Sequence, residues 1–135
     1  MGMRIVHLAI ADDWEAAKQL GEYMVSTRGM SVDDVGYVHA SAASQLRRVA
    51  EYGYSDVHSP LLVLVIDVDE LHARGIDVRW EAETSEAETS AHIYAPLPTD
   101  EDAVVAELPA HFEGREFVPP ELGDYDVIES PPEPG

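Results

Sequence analysis

Leu61–Val68 reads LLVLVIDV and is the strongest strand signal in the chain. Six consecutive apolar residues rich in β-branched side chains suit an extended segment buried on both faces, since a strand with one solvated face alternates polar and apolar residues. The rest of the chain must therefore pack on either side of this segment. Gly53–Pro60 before it is a turn region.

Working outward, Arg4–Ile10 is a second apolar run that reads as a strand. Asp12 and Glu15 form a D-x-x-E capping pattern, and Trp14, Ala17 and Leu20 follow at helical spacing, so a helix is expected from Asp12 to a stop at Gly21. Residues 22–35 have no clear period and are expected to be loop. Tyr37–Ala40 reads as a short strand, and a second helix is expected from Ser41 to about Tyr52, with Leu46, Val49 and Ala50 on its buried side. Val78–Glu81, His92–Ala95 and Ala103–Leu108 complete a set of about six strands. Two N-terminal helices and these strands give an α+β class.

The chain has 135 residues, 27 acidic and 8 basic, for a net charge of −19, and no cysteine. The length suits one domain with a real core. Lack of cysteine excludes disulfides, a thiol nucleophile and cysteine–zinc sites. The charge argues against nucleic-acid partners, which need clustered Lys and Arg, and against anionic membranes. Residues 1–80 carry a net of −5 and residues 81–135 a net of −14. The expected organisation is a domain over residues 1–112 and an acidic, Pro-rich tail over 113–135, partly disordered, with Ser130–Gly135 the most exposed to disorder. Residues 81–85 and 86–90 are both EAETS, a tandem duplication that reads as a lengthened surface loop or as an acidic lid. The N-terminus lacks the pattern of a signal peptide and no apolar run spans a bilayer, so the expected location is the cytoplasm.

Chemistry concentrates on histidines flanked by apolar residues: His7 in IVHLA, His39 in YVHAS and His92 in AHIYAP. Side chains at i and i+2 of a strand share a face. His39 and Ser41 therefore face one pocket if the strand continues through Ser41, as a ligand-binding or base–nucleophile pair; the competing role for Ser41 is to cap the second helix. Arg79 and Glu81 share a face with Trp80 on the other, and His92 and Tyr94 repeat the arrangement. Arg79 could clamp a phosphate or carboxylate and Glu81 could act as a base or hold a ribose hydroxyl; the structural alternative is an ion pair beside a core tryptophan. A zinc held by His7, His39 and His92 is chemically conceivable, but no local ligand spacing supports it and no metal is expected.

The order VHLA, DDWEAA with GEY, GYVHAS, LLVLVID, VRWE, HIYAPLP resembles a small bacterial family of proteins of unknown function, the one numbered 952, from about Arg4 to Leu108. The resemblance implies an ADP-ribosyltransferase-like fold of two short, split β-sheets with helices around a nicotinamide–dinucleotide cleft. It implies His7 at the ribose, His39 and Ser41 lining the cleft, and Arg79, Glu81, His92 and Tyr94 at the other recurrent polar positions. The sequence departs from the pattern at Ala42 (commonly Thr), at Ala95 (commonly Gly) and in the longer loop after RWE. The glutamate of toxin-type transferases has no motif match, and Glu81 is its candidate by location alone.

The expectation is then a small protein that binds NAD or a related small nucleotide or anionic ligand, a transferase if catalytic, with His7, His39 and Glu81 as catalytic candidates and Ser41, Arg79, His92 and Tyr94 as ligand-binding ones. Two alternatives are a non-enzymatic interaction module that meets a basic partner through the acidic segments, and an accessory biosynthetic enzyme using histidine acid–base chemistry on a small molecule. Sequence leaves the oligomeric state open.

Overall fold

The computed structural model describes residues 3–82, 84 and 88–132. In chain order the elements are β1 (Arg4–Ile10), α1 (Ala11–Leu20), β2 (Glu22–Tyr23), β3 (Val25–Thr27), β4 (Met30–Ser31), α2 (Val32–Val35), β5 (Val38–Ala40), α3 (Leu46–Gly53), β6 (Leu61–Asp67), α4 (Val68–Ala73), β7 (Val78–Glu81), β8 (Ser90–Ile93), β9 (Leu97–Pro98), β10 (Val104–Glu113) and β11 (Glu116–Val118). The mixed α and β class is as expected. Four helices and eleven strands are present among the described residues, where two helices and about six strands were expected.

β6 is the hub. It pairs antiparallel with β1 on one side and β10 on the other, and β11 extends the sheet beyond β10. Its alternate residues feed two cores. Leu64 and Ile66 join Ile5, Trp14, Tyr23, Val38 and Ile93 on one face, and Val63 and Val65 join Val6, Leu46, Tyr54 and Phe117 on the other. Both faces are covered, which is why the segment carries no polar alternation.

A second sheet of three antiparallel strands, in the order β5–β8–β7, lies over the first core. Two two-stranded ribbons, β2–β9 and β3–β4, complete the set. The predicted loop over 22–35 thus holds three short strands and α2, where Ser31 and Asp34 form a reciprocal capping box. Each piece is too short to show a period.

Two expected helix caps are replaced by backbone. α1 begins at Ala11, directly out of β1, and the Ala11 N–H donates to the Pro60 carbonyl at 2.9 Å, so Asp12 lies inside the first turn and caps nothing. Ser41 does not cap the second helix. It forms a two-way backbone bridge with Val6, while a 3₁₀ turn over Ala43–Gln45 leads into α3. The turn's free N–H groups are met by the Gln45 side chain, which accepts from Ala42 N at 3.0 Å, and by the carbonyls of Ile128 and Glu129.

Those two carbonyls belong to the acidic C-terminal segment. The expected boundary at 112 falls within β10, Phe117 is wholly buried, and Ile128 N–H donates to the Arg4 carbonyl. Of the segment expected to be disordered, residues 133–135 lie outside the described residues, as do 83 and 85–87 of the EAETS loop, on which the lid reading depends.

Candidate functional site

The three-stranded sheet has one apolar and one polar face, and its register sets both. Ala40, Ala91 and Trp80 form one transverse row, and Val38, Ile93 and Val78 another; these side chains pack into the core. The intervening row is His39, His92 and Arg79, and the next pairs Ser90 with Glu81. By strand alternation all of these project from the opposite face. Tyr37 and Tyr94 flank them, with the Tyr37 ring stacked on His92 at 3.8 Å and 4°.

His92 is buried and its ring is held at both nitrogens. Nδ1 lies 3.1 Å from Glu81 Oε1, and Nε2 lies 3.3 Å from Ser90 Oγ. A carboxylate only accepts, so Nδ1 carries the proton and donates, and Nε2 is left to accept from the Ser90 hydroxyl. The Tyr94 hydroxyl donates to the same Glu81 oxygen. The Tyr94 bond first and the His92 bond next hold the Glu81 carboxyl below its usual range, and the same contact with Glu81 pushes the Tyr94 phenol up. Arg79 sits over the Tyr94 ring at 5.2 Å and pairs with Asp77 at 3.1 Å, largely exposed.

Beside this face lies a cleft against α3. A cavity of about 170 Å³ is lined by His39, Ser41, Gln45, Arg48, Glu88 and Ser90 among others. A wider hollow of about 540 Å³ is lined by His39, Arg28, Val49, Tyr52 and Tyr54. His39 and Val49 line both, so His39 stands where the two meet. Two cations reach the cleft, each held by a carboxylate. Arg28 pairs with Asp56, and Arg48 Nη2 lies 3.2 Å from Glu88 Oε1. The buried Gln45 amide donates to the same Glu88 oxygen at 2.6 Å and to the Thr89 carbonyl at 2.7 Å.

His7 is placed differently. Its ring is buried under β5, with Nδ1 2.5 Å from the His39 carbonyl and Nε2 3.0 Å from the Tyr23 hydroxyl. The carbonyl fixes the proton on Nδ1, and Nε2 accepts from Tyr23. Burial, the dominant cause, lowers the His7 pKa to about 4, so the ring is neutral at pH 7. Its polar atoms are spent on holding the backbone of His39.

The structure thus gathers His39 and Ser41 on one cavity, links Glu81, His92 and Tyr94 in one network beside it, sets Arg79 at that network's outer edge, and buries His7 behind the strand. Ser90 and Gln45 were not singled out from the sequence. Ser90 is legible in part: extending the His92/Tyr94 alternation two residues back reaches it, but it also ends the second EAETS copy, which reads as a lengthened surface loop. Gln45 had no sequence signal, because its role depends on Glu88 and Thr89 arriving from 43 and 44 residues away. Among the described residues no group of three His, Asp or Glu side chains is placed to hold a metal ion, and no helix is long and apolar enough to cross a membrane.

Residues 8–106 match the sequence model of the family described as Protein of unknown function (DUF952). No curated protein matches the chain. Among solved structures, protein CC0527 from Caulobacter crescentus superposes with a TM-score of 0.70 at 25% identity, covering 91% of this chain and 97% of that one. A double-methionine variant of the same protein gives a TM-score of 0.70 at 24% identity over the same shares.

Proposed function

The chain belongs to the DUF952 family, and from the geometry of its cleft we propose that it binds a small anionic ligand, NAD or a related nucleotide, against His39 between α3 and the three-stranded sheet. One observation carries the reading. His39, Ser41, Ser90 and Gln45 converge on a cavity whose cation, Arg48, holds only a half-exposed carboxylate of the chain itself. An incoming phosphate or carboxylate can exchange with Glu88 at Arg48, and with Asp56 at Arg28, because exposed ion pairs of this kind are worth about 0–1 kcal/mol. A guanidinium suits such a group through its forked donors.

The protein's −19 charge disfavours a long nucleic acid, whose phosphates would meet net negative surface around two isolated cations. ADP-ribosyl transfer, the activity implied by the superfamily resemblance, requires the dinucleotide to bind first, so a titration that shows no binding excludes both. Isothermal titration of the full chain with NAD, NADP and ADP-ribose is expected to show binding below millimolar levels for at least one, weakened about tenfold (~1.4 kcal/mol) by His39→Ala and by Arg48→Ala. If none of the three binds below millimolar levels, the nucleotide reading fails.

A further inference from the structure

The ordered chain Ser90–His92–Glu81 has the chemistry of an activated nucleophile, and none of the roles above uses it. Ser90 Oγ is 3.3 Å from His92 Nε2, and His92 Nδ1 is 3.1 Å from Glu81 Oε1. A hydroxyl, an imidazole whose free nitrogen faces it, and a carboxylate that fixes the tautomer are the three parts of a serine nucleophile, recognised by geometry and role rather than by chain order. All three come from two adjacent strands, with Glu81 directly opposite Ser90 in register, so the sheet itself sets their spacing. The Tyr37 ring stacked on His92 and the Tyr94 hydroxyl on Glu81 lock the base and its orienting group in place. Ser90 also lines the cleft cavity, which gives the hydroxyl access to a bound molecule.

The substrate class follows from what lines that cavity. The Glu88 carboxylate accepts from Gln45 Nε2 at 2.6 Å and Arg48 Nη2 at 3.2 Å, within the lining that Ser90 shares. Two donors from α3 and its leading turn therefore hold an anionic group beside the hydroxyl, and the chain's own carboxylate stands in for the ligand's.

We infer that Ser90 is the nucleophile of an acyl-transfer site that hydrolyses a small ester bearing a carboxylate or phosphate, with His92 as general base and Glu81 as its positioning residue. Ser90 Oγ adds to the ester carbonyl carbon as its proton passes to His92 Nε2. The carbon–oxygen bond to the leaving group breaks, and the alkoxide takes that proton and departs as the alcohol. Water then adds to the acyl-serine, its proton moving to Nε2, and the carboxylic acid leaves as the proton returns to Ser90 Oγ. The sum is ester plus water to acid plus alcohol. This rests on the cleft being the ligand site, as proposed above, and adds a reaction to it.

The test uses the full chain, an alkyl fluorophosphonate and intact-mass and peptide mass spectrometry, with thermal melting of each variant. Wild type is expected to gain one alkylphosphonyl group at Ser90, with release of fluoride. Ser90→Ala is expected to gain none. His92→Gln should slow the reaction at least 100-fold and Glu81→Gln about tenfold or more, with both variants still melting in one cooperative transition. p-Nitrophenyl hemisuccinate should be hydrolysed faster than p-nitrophenyl acetate, and Arg48→Ala should remove that preference. A folded wild type that gains no mass, or gains it at another residue, overturns the inference, as does labelling at an undiminished rate in Glu81→Gln and His92→Gln. Nucleotide binding without phosphonylation sinks the acyl-transfer site alone, and phosphonylation without nucleotide binding sinks the nucleotide reading alone.

Discussion

His7 shows how a single residue can serve a site without entering it. Its two ring nitrogens tie β1 to the His39 carbonyl and to Tyr23, and the ring is neutral because burial outweighs the bond it donates. The unfolded chain takes up a proton at this ring below about pH 6.5, whereas the native ring refuses it until about pH 4. The folded pKa is the lower one, so stability is lost as pH falls from about 6.5 to 4, by an amount on the order of 3 kcal/mol for this group. His7→Gln is expected to cost about 1–3 kcal/mol at pH 7 through the lost hydrogen bonds, and to flatten the slope of stability between pH 6.5 and 4 relative to wild type. Urea melts of both proteins at pH 7, 5.5 and 4.5 measure the difference; equal slopes would mean the ring is not held neutral. His92, two strands from β1, shows the opposite use of the same side chain, because its Nε2 meets a hydroxyl that lines a cavity.

At the scale of elements, the acidic C-terminal segment is structural. β11 brings Phe117 into the core beneath α3, edge-on to Phe112 at 5.4 Å, and the Phe117 N–H donates to Glu51 Oε2 at 2.9 Å. Farther on, Ile128 and Glu129 supply the carbonyls that satisfy the turn before α3. The helix that forms one wall of the cleft is therefore held at both ends by a stretch whose composition reads as solvated tail. Phe117→Ala is expected to destabilise the fold by about 3–5 kcal/mol, seen as a lower urea midpoint with an unchanged slope, whereas Glu121→Ala, on the exposed part of the same segment, should stay within about 0.5 kcal/mol. A Phe117→Ala loss below 1 kcal/mol would place the segment outside the cooperative unit.

Across the whole molecule, the −19 charge is a property of the surface while the cleft holds a local exception. Most cations are already paired: Arg4 with Asp67, Lys18 with Glu15 and Glu107, Arg74 with Glu70 and Asp100. The remaining carboxylates repel one another, and salt screens exposed charges beyond about 10 Å at 0.1 M. Raising sodium chloride from 10 to 300 mM is therefore expected to raise the melting temperature. Relief of about 1 kcal/mol of self-repulsion corresponds to roughly 3–5 °C at this size. A calorimetric scan at the two salt levels checks the sign, and a fall in melting temperature would mean that the ion pairs outweigh the repulsion.

Sequence by itself determined the hub strand, the mixed class and the sharing of a face by residues two apart, because burial and strand alternation are local properties. Leu61–Ile66 is apolar throughout because both its faces are covered, and Arg79 with Glu81, or His92 with Tyr94, point together whatever lies across from them. Only the tertiary structure decided which of those pairs meet. Register set His92 against both His39 and Arg79 and Glu81 opposite Ser90, and packing set the Gln45 amide against Glu88, contacts that join residues 9 to 53 positions apart and leave no periodic trace. It also decided that one apolar-flanked histidine is held between a carbonyl and a tyrosine and another between a serine and a glutamate. The reason is that a histidine's chemistry depends on what its two nitrogens touch, and those partners are chosen by packing.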